Sequence, residues 1–137
     1  MFRQLKYNLK TSIFEIDNLP NYLDEALSGI TLPTEKYNNI LLAVTEAVNN
    51  AIIHGNKNDI SKEIELEFII TDDFIKIIVT DEGEGFDLQS VPDPTLPENL
   101  LSEHGRGIFI MKHFVDELKV EKSPKGSSLV LKIKLKY

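Results

Sequence analysis

The feature of this sequence that most constrains its fold is a long amphipathic pattern over residues 34–54. Apolar residues return there at alternating spacings of three and four, which is the period of an α-helix. They are Tyr37, Ile40, Leu41, Val44, Val48, Ala51 and Ile52. The following Gly55 and Asn56 predict the end of this helix. A helix with so wide an apolar face must bury it against another layer of the protein.

The rest of the chain supplies that layer. Five segments alternate apolar and polar residues, as strands with one buried face do. They are residues 5–9, 64–70, 75–79, 118–121 and 128–135. Residues 18–30 and 107–115 predict two more helices. The order β, α, α, β, β, long loop, α, β, β predicts an α+β fold, a two-layer sandwich with a mixed, mostly antiparallel sheet and helices on one face.

Composition narrows the class of protein. The 137 residues suit a single domain, 1–137, and the net charge of −7 speaks against nonspecific binding to nucleic acid. No apolar run approaches the ~18 residues of a membrane span, and the first residues do not form a signal peptide. Cysteine is absent, so neither disulfides nor thiolate metal sites are expected. A cytoplasmic protein is the default interpretation.

Polar side chains recur on the second face of the long helix. Glu46, Asn50 and His54 follow one another at intervals of four, and Leu42 and Ala43 lie on the same side. A face of this mixed kind indicates a helix buried on both sides, against a sheet and against a ligand pocket. The carboxylate and the carboxamide could serve a hydrated Mg²⁺, or the carboxylate could act as a general base. An exposed Glu-Asn pair is the plain alternative.

A second group of polar residues follows the strand at 75–79. Asp81, Gly83 and Gly85 place a carboxylate beside bare backbone, where a flat polar ligand could approach. A simple turn is one alternative. A calcium loop lacks its usual spacing, and a dinucleotide-binding loop lacks its third glycine and its helix. The remaining hypothesis is that the carboxylate accepts a hydrogen bond from an exocyclic amine such as that of adenine.

A third group lies beyond a long loop that contains Pro92, Pro94 and Pro97. Residues 105–107, Gly-Arg-Gly, are predicted to open a helix, where free N–H groups and an arginine favour a phosphate. A flexible hinge with a surface arginine is the alternative. Residues 125–128 predict a hairpin connection with hydroxyls that could also reach a base. None of the histidines has metal-ligand spacing.

Taken together and in this order, these motifs resemble the GHKL ATP-binding fold. The matching stretches are EAVNNAIIHG at 46–55, DEGEG at 81–85 and GRGI at 105–108. The small size of the chain and the stretches VPDP at 91–94 and PENLL at 97–101 indicate one family within this superfamily. With these features the chain resembles the bacterial anti-sigma-factor serine/threonine protein kinases of the stress-response and sporulation type.

The resemblance implies a role for each residue of the first two motifs. It gives Asn50 the coordination of Mg²⁺ and Glu46 the activation of the attacking hydroxyl. Asp81 would contact the adenine amino group, and Gly83 and Gly85 would give the nucleotide room to approach.

It also implies how the phosphates and the base are enclosed. Gly105, Arg106 and Gly107 would form the phosphate site, with Arg106 neutralising charge on the γ-phosphate. Residues 86–104 would form a lid over the nucleotide. Relatives have a threonine near the adenine where this chain has Ser127, although Ser128 is also possible from the sequence.

The function implied is that of an ATP-dependent protein serine kinase that also acts as an anti-sigma factor. Its partners would be a sigma factor and an anti-anti-sigma protein of the STAS type, with neither nucleic acid nor membrane, and relatives often form dimers. One alternative is a non-catalytic ATP-binding module that sequesters a partner, for which Glu46 would be unnecessary. Another is the ATPase part of a histidine kinase, for which no histidine-bearing helices precede the domain.

Overall fold

A five-stranded sheet forms one layer of the structure, a computed structural model that describes residues 1–90 and 103–135. The strands are β1 (Phe2–Lys10), β2 (Glu63–Thr71), β3 (Phe74–Asp81), β4 (Glu117–Ser123) and β5 (Gly126–Lys134). Their order across the sheet is β1-β2-β3-β5-β4, and the pairings between neighbours are antiparallel.

The sheet of the described residues is therefore antiparallel throughout, which corrects the mixed sheet expected from the sequence. The reason lies in the connection from β3 to β4. These two strands run in the same direction, but β5 turns back from β4 and inserts between them. The tight hairpin that pairs Ser123 with Gly126 makes this insertion easier than a direct parallel pairing of β3 with β4.

The second layer is helical. It consists of α1 (Leu19–Ala26), α2 (Thr34–Asn50) and α3 (Glu103–Phe114), with 3₁₀ turns at Ile13–Asn18 and Leu88–Ser90. The long helix predicted over residues 34–54 is confirmed, but its last turn, Ala51–Gly55, is a π-helix. Such wide turns are frequently found at functional sites.

The helices cover one face of the sheet, as predicted. The side chains of Leu66, Phe68, Ile77 and Leu131 on that face are fully buried, and they share one core with the apolar residues of all three helices. Period-two alternation puts the other residues of these strands on the opposite face. The α+β class and the one-sided helical layer are confirmed.

The predicted lid falls mainly on residues 91–102, which lie outside the described residues. The part of it that is described contains the short turn Leu88–Ser90. The single-domain assignment, 1–137, and the lid stay predictions.

Candidate functional site

A cavity of about 490 Å³ opens where the end of α2 approaches the end of β3. Its volume is in the range of sites that hold small organic ligands. Five residues singled out in the sequence line it: Asn50, Asp81, Gly83, Gly85 and Ser127. Tertiary packing thus brings together residues from α2, from the loop after β3 and from β5.

The carboxylate of Asp81 is buried at this cavity and rests on Gly55. Asp81 is only 8% exposed. Its Oδ1 accepts a hydrogen bond of 2.8 Å from the Gly83 N–H. A Cβ on Gly55 would lie 2.0 Å from Oδ2, so no larger residue fits there without displacing the carboxylate. Burial raises the pKa of Asp81 above its ordinary value, against the lowering effect of the Gly83 hydrogen bond.

The two glycines after Asp81 are required by the protein's own packing. A Cβ on Gly83 would lie 2.5 Å from the carbonyl oxygen of Gly55. Gly85 has a φ of +81°, and a Cβ there would lie 2.7 Å from the Ser127 hydroxyl. Both glycines let the loop fold back tightly on the end of α2 and on β5. Any room they give a ligand comes in addition to this.

The pairing of β3 with β5 distinguishes the two serines that the sequence left open. Ser127 is the register partner of Asp81 and lines the cavity. Ser128 is paired with Thr80, and their hydroxyls are hydrogen-bonded at 2.7 Å. Because neighbouring residues of a strand face opposite sides, only the Ser127 hydroxyl is on the side of the cavity.

The side-chain oxygen of Asn50 is unusual for a buried polar atom. The residue is 8% exposed, and its Oδ1 is buried with no hydrogen-bond partner among the residues the structure describes. Leaving such an atom unpaired costs on the order of 1–3 kcal/mol. Asn50 lines the cavity, and its carboxamide oxygen is the kind of ligand that a hard cation or a hydrogen-bond donor takes.

Glu46 lies one helical turn before Asn50 and faces α3. A Cβ on Gly107 would lie 3.1 Å from the Glu46 Oε2, so the N-terminal part of α3 packs directly beside this carboxylate. Partial burial raises the pKa of Glu46, which makes the carboxylate a stronger proton acceptor than an exposed one. The structure therefore brings the 46–55 stretch and residues 105–107 into contact.

The position of residues 105–107 in α3 differs from the prediction. The helix begins at Glu103, so the Gly-Arg-Gly segment lies within its first two turns and does not open it. The low helix propensity of glycine made the boundary look later in the sequence. Gly105 is buried and Arg106 is exposed.

Sequence reasoning missed several residues of the cavity. Lys57 and Lys62 line it, as does His54, which the sequence placed on the same helix face as Asn50 without giving it a role. Lys57 adopts a φ of +53°, which is uncommon outside glycine. Gly55 was noted as a helix end and as the last residue of the 46–55 stretch, with no role of its own. Its place in that stretch was a usable signal, but its contact with Asp81 depends on tertiary packing.

Residues 1–90 and 103–135 contain no group of three or more His, Asp or Glu side chains that could hold a metal ion. Within these same ranges there is also no helix that combines the length and the apolar character of a membrane span.

Comparisons with known proteins agree with this geometry. Residues 15–133 match the family model described as "Histidine kinase-like ATPase domain". The chain is 39% identical over 104 residues to an anti-sigma F factor of Geobacillus stearothermophilus, which covers 72% of this chain and 70% of the relative. It is 32% identical over 114 residues to the serine-protein kinase RsbW of Oceanobacillus iheyensis, covering 74% and 72%.

A solved structure shows the same fold. It contains the RsbU and RsbW domains of Rv1364c from Mycobacterium tuberculosis, with a TM-score of 0.69 and 20% identity. The match covers 97% of this chain and 32% of that one. The chain belongs to the histidine kinase-like ATPase domain family, in the group that contains the anti-sigma F factors and the RsbW serine-protein kinases.

Proposed function

We propose that this chain binds ATP with Mg²⁺ in the cavity at Asp81 and transfers the γ-phosphate to a serine of a partner protein. The observation that carries this is Asn50, which lines the same cavity as the buried Asp81 and whose buried Oδ1 has no hydrogen-bond partner among the described residues. The Asn50 carboxamide oxygen is suited to a cation, and the Asp81 carboxylate is suited to the amino group of adenine. The names of the relatives, anti-sigma F factor and serine-protein kinase, support the same assignment.

In this proposal the base is held at the β3 end of the cavity. The Asp81 carboxylate accepts a hydrogen bond from the adenine amino group, which guanine lacks at that position, and the Ser127 hydroxyl adds a second polar contact. At the other end Asn50 would hold Mg²⁺, which when bound neutralises charge on the phosphates. Arg106 and the N–H groups at the start of α3 supply further positive potential for the γ-phosphate.

Glu46 is the proposed base for the transfer. The partner's serine Oγ attacks the γ-phosphorus, the bond to the oxygen that bridges it to the β-phosphate breaks, and ADP leaves. The serine proton passes to the Glu46 carboxylate, whose pKa is raised by burial. The contact of Glu46 with Gly107 supports a base beside the proposed phosphate site.

We further propose that the phosphorylated partner is an anti-anti-sigma protein of the STAS type and that the chain otherwise holds a sigma factor. The test is to incubate the purified chain with labelled ATP, Mg²⁺ and purified STAS proteins from the same cell. Label on a STAS serine is expected. If the chain binds ATP and labels none of them, the kinase proposal is contradicted and the non-catalytic alternative replaces it. Binding to a purified sigma factor is measured separately, by size-exclusion chromatography with ATP present.

The Ser127→Ala variant should weaken ATP binding about fivefold, since one hydrogen bond is worth on the order of 1 kcal/mol. Ser128→Ala is the matched control. It loses the bond to Thr80 on the opposite face and should lower the unfolding free energy by about 1 kcal/mol without changing ATP affinity. Titration calorimetry and urea unfolding measure the two effects. Equal ATP affinities in the two variants would show that the Ser127 hydroxyl does not contact the nucleotide.

The Gly55→Ala variant should lose ATP binding by a factor of more than ten. The new methyl would overlap the Asp81 carboxylate and force it away from its site, with an overpacking cost of about 1–3 kcal/mol. Gly29→Ala is the control, because Gly29 has a φ of +79° but nothing within 4 Å of an added Cβ. It should lose about 1–2 kcal/mol of stability through the left-handed backbone and keep its ATP affinity. Wild-type affinity in Gly55→Ala would contradict the role of Asp81.

A further inference from the structure

A fully buried polar side chain lies directly beneath the Asp81 loop. Asn56 is 0% exposed and follows the π-helical turn at the end of α2. Its Nδ2 donates to the Thr11 Oγ1 at 2.8 Å and to the Glu63 carbonyl oxygen at 3.1 Å. Its Oδ1 accepts from the Glu82 backbone N–H at 2.8 Å. One carboxamide therefore connects the segment after β1, the start of β2 and the residue after β3.

The bond to Glu82 lies where regular strand pairing stops. The ladder between β2 and β3 ends at the pair Glu65 and Thr80, whereas the ladder between β3 and β5 continues to Asp81. On its β2 side, the chain from Asp81 onward therefore lacks the support of the ladder. The Asn56 carboxamide replaces it, and the Glu82 carboxylate adds a bond from the Glu63 N–H at 2.6 Å.

Residues 81–83 are also held by Gly55, the residue before Asn56. The carbonyl of Gly55 packs against Gly83, and the Gly83 N–H donates to the Asp81 Oδ1. Gly55 and Asn56 are adjacent in the chain, so the end of α2 holds residues 81–83 through one main-chain contact and one side-chain hydrogen bond. Gly55, Asp81, Glu82 and Gly83 line the cavity, whereas Asn56 does not and holds this segment from behind.

We propose that Asn56 is a positioning residue that fixes the Asp81 carboxylate and thereby sets the preference of the site for adenine over guanine. The inference rests on the proposed function, since it assumes that Asp81 contacts the base. A buried carboxylate discriminates between an amino group and a carbonyl only if it is held within a few tenths of an ångström. The acceptor oxygen of Asn56 supplies that restraint through the backbone of the next residue.

The test compares Asn56→Ser with Thr11→Val. The serine hydroxyl is too short to reach the Glu82 N–H from the same backbone position, so the restraint is lost. Thr11→Val removes the bonds of Thr11 to Asn56 and to the Lys62 carbonyl but leaves the bond from Glu82 to Asn56 in place. Both variants disturb the same buried network, so both should unfold at lower urea concentration than the wild type.

The discriminating measurement is the ratio of the dissociation constants of GTP and ATP, determined by calorimetry with Mg²⁺ present. Asn56→Ser is expected to lower this ratio at least tenfold, while Thr11→Val keeps it within about twofold of the wild type. An unchanged ratio in Asn56→Ser, or an equal fall in both variants, overturns the proposal and leaves Asn56 a purely structural residue. Failure of the wild type to bind ATP is a separate outcome, which contradicts the proposed function itself.

A measurement on the wild type keeps the proposal testable if Asn56→Ser does not fold. The Glu82 amide in the nucleotide-free protein should exchange its hydrogen at least 100-fold more slowly than an unstructured peptide of the same sequence. Exchange at the unstructured rate would show that Asn56 does not restrain the loop, and would overturn the proposal.

Discussion

The Glu46→Gln variant is expected to bind Mg²⁺ and ATP with near wild-type affinity and to transfer phosphate about 10²–10⁴-fold more slowly, the usual contribution of a general base. The carboxamide keeps the size and the hydrogen-bonding capacity of the side chain next to Gly107 but cannot accept the serine proton. Quenched-flow or steady-state transfer of label to a purified STAS partner measures the rate, and calorimetry measures binding.

Glu35→Gln is the matched control for this variant. Glu35 lies in the first turn of the same helix and is exposed, so its substitution changes the net charge by the same amount without touching the site. Its transfer rate should stay within about twofold of the wild type. Retained transfer in Glu46→Gln would remove Glu46 as the base, and loss of ATP binding would mean that the carboxylate belongs to the binding site instead.

The Asn50→Ala variant is expected to bind ATP in the presence of Mg²⁺ at least 100-fold more weakly than the wild type, while its ATP affinity in EDTA falls much less. The buried Oδ1 has no hydrogen-bond partner in the described part of the chain, so its removal takes little from the nucleotide-free protein. We therefore expect an unfolding free energy within about 1 kcal/mol of the wild type, because relief of an unpaired polar atom offsets the lost packing.

Asn49→Ala provides the comparison for Asn50→Ala. Asn49 has the same side chain one position earlier and is only partly buried, and no role is assigned to it. Its Mg²⁺-dependent ATP affinity should match that of the wild type. If Asn50→Ala lowers ATP affinity equally with and without Mg²⁺, Asn50 contacts the nucleotide and not the metal ion.

Much of the fold could be predicted because it depends on local periodicity. The apolar stripe of α2 and the alternation in β2, β3 and β5 are properties of neighbouring residues, and they correctly placed these elements to within a few residues. The start of α3 was wrong because two glycines weakened its helical signal. The antiparallel character of the whole sheet was missed because the insertion of β5 between β3 and β4 joins strands that are distant in the chain.

The alternation of residues in β5 could have predicted which of Ser127 and Ser128 faces the site. Leu129, Leu131 and Ile133 have the same parity as Ser127, so the alternation of β5 already indicated that Ser127 shares the buried face. The partner of Ser127 could not be read in the same way. Its pairing with Asp81 depends on the register between two strands that are separated by α3 and β4.

By itself, the amino-acid sequence determined which segments become helices and strands, the family of the chain and the residue types that carry its proposed chemistry. Only the tertiary structure decided that Gly55 lies under Asp81, that Gly107 lies beside Glu46 and that Asn56 holds Glu82. The physical reason is that each of these contacts joins residues far apart in the chain. Helix and strand patterns record the local environment of a residue, whereas such contacts form only when the core brings two layers and several strand ends together.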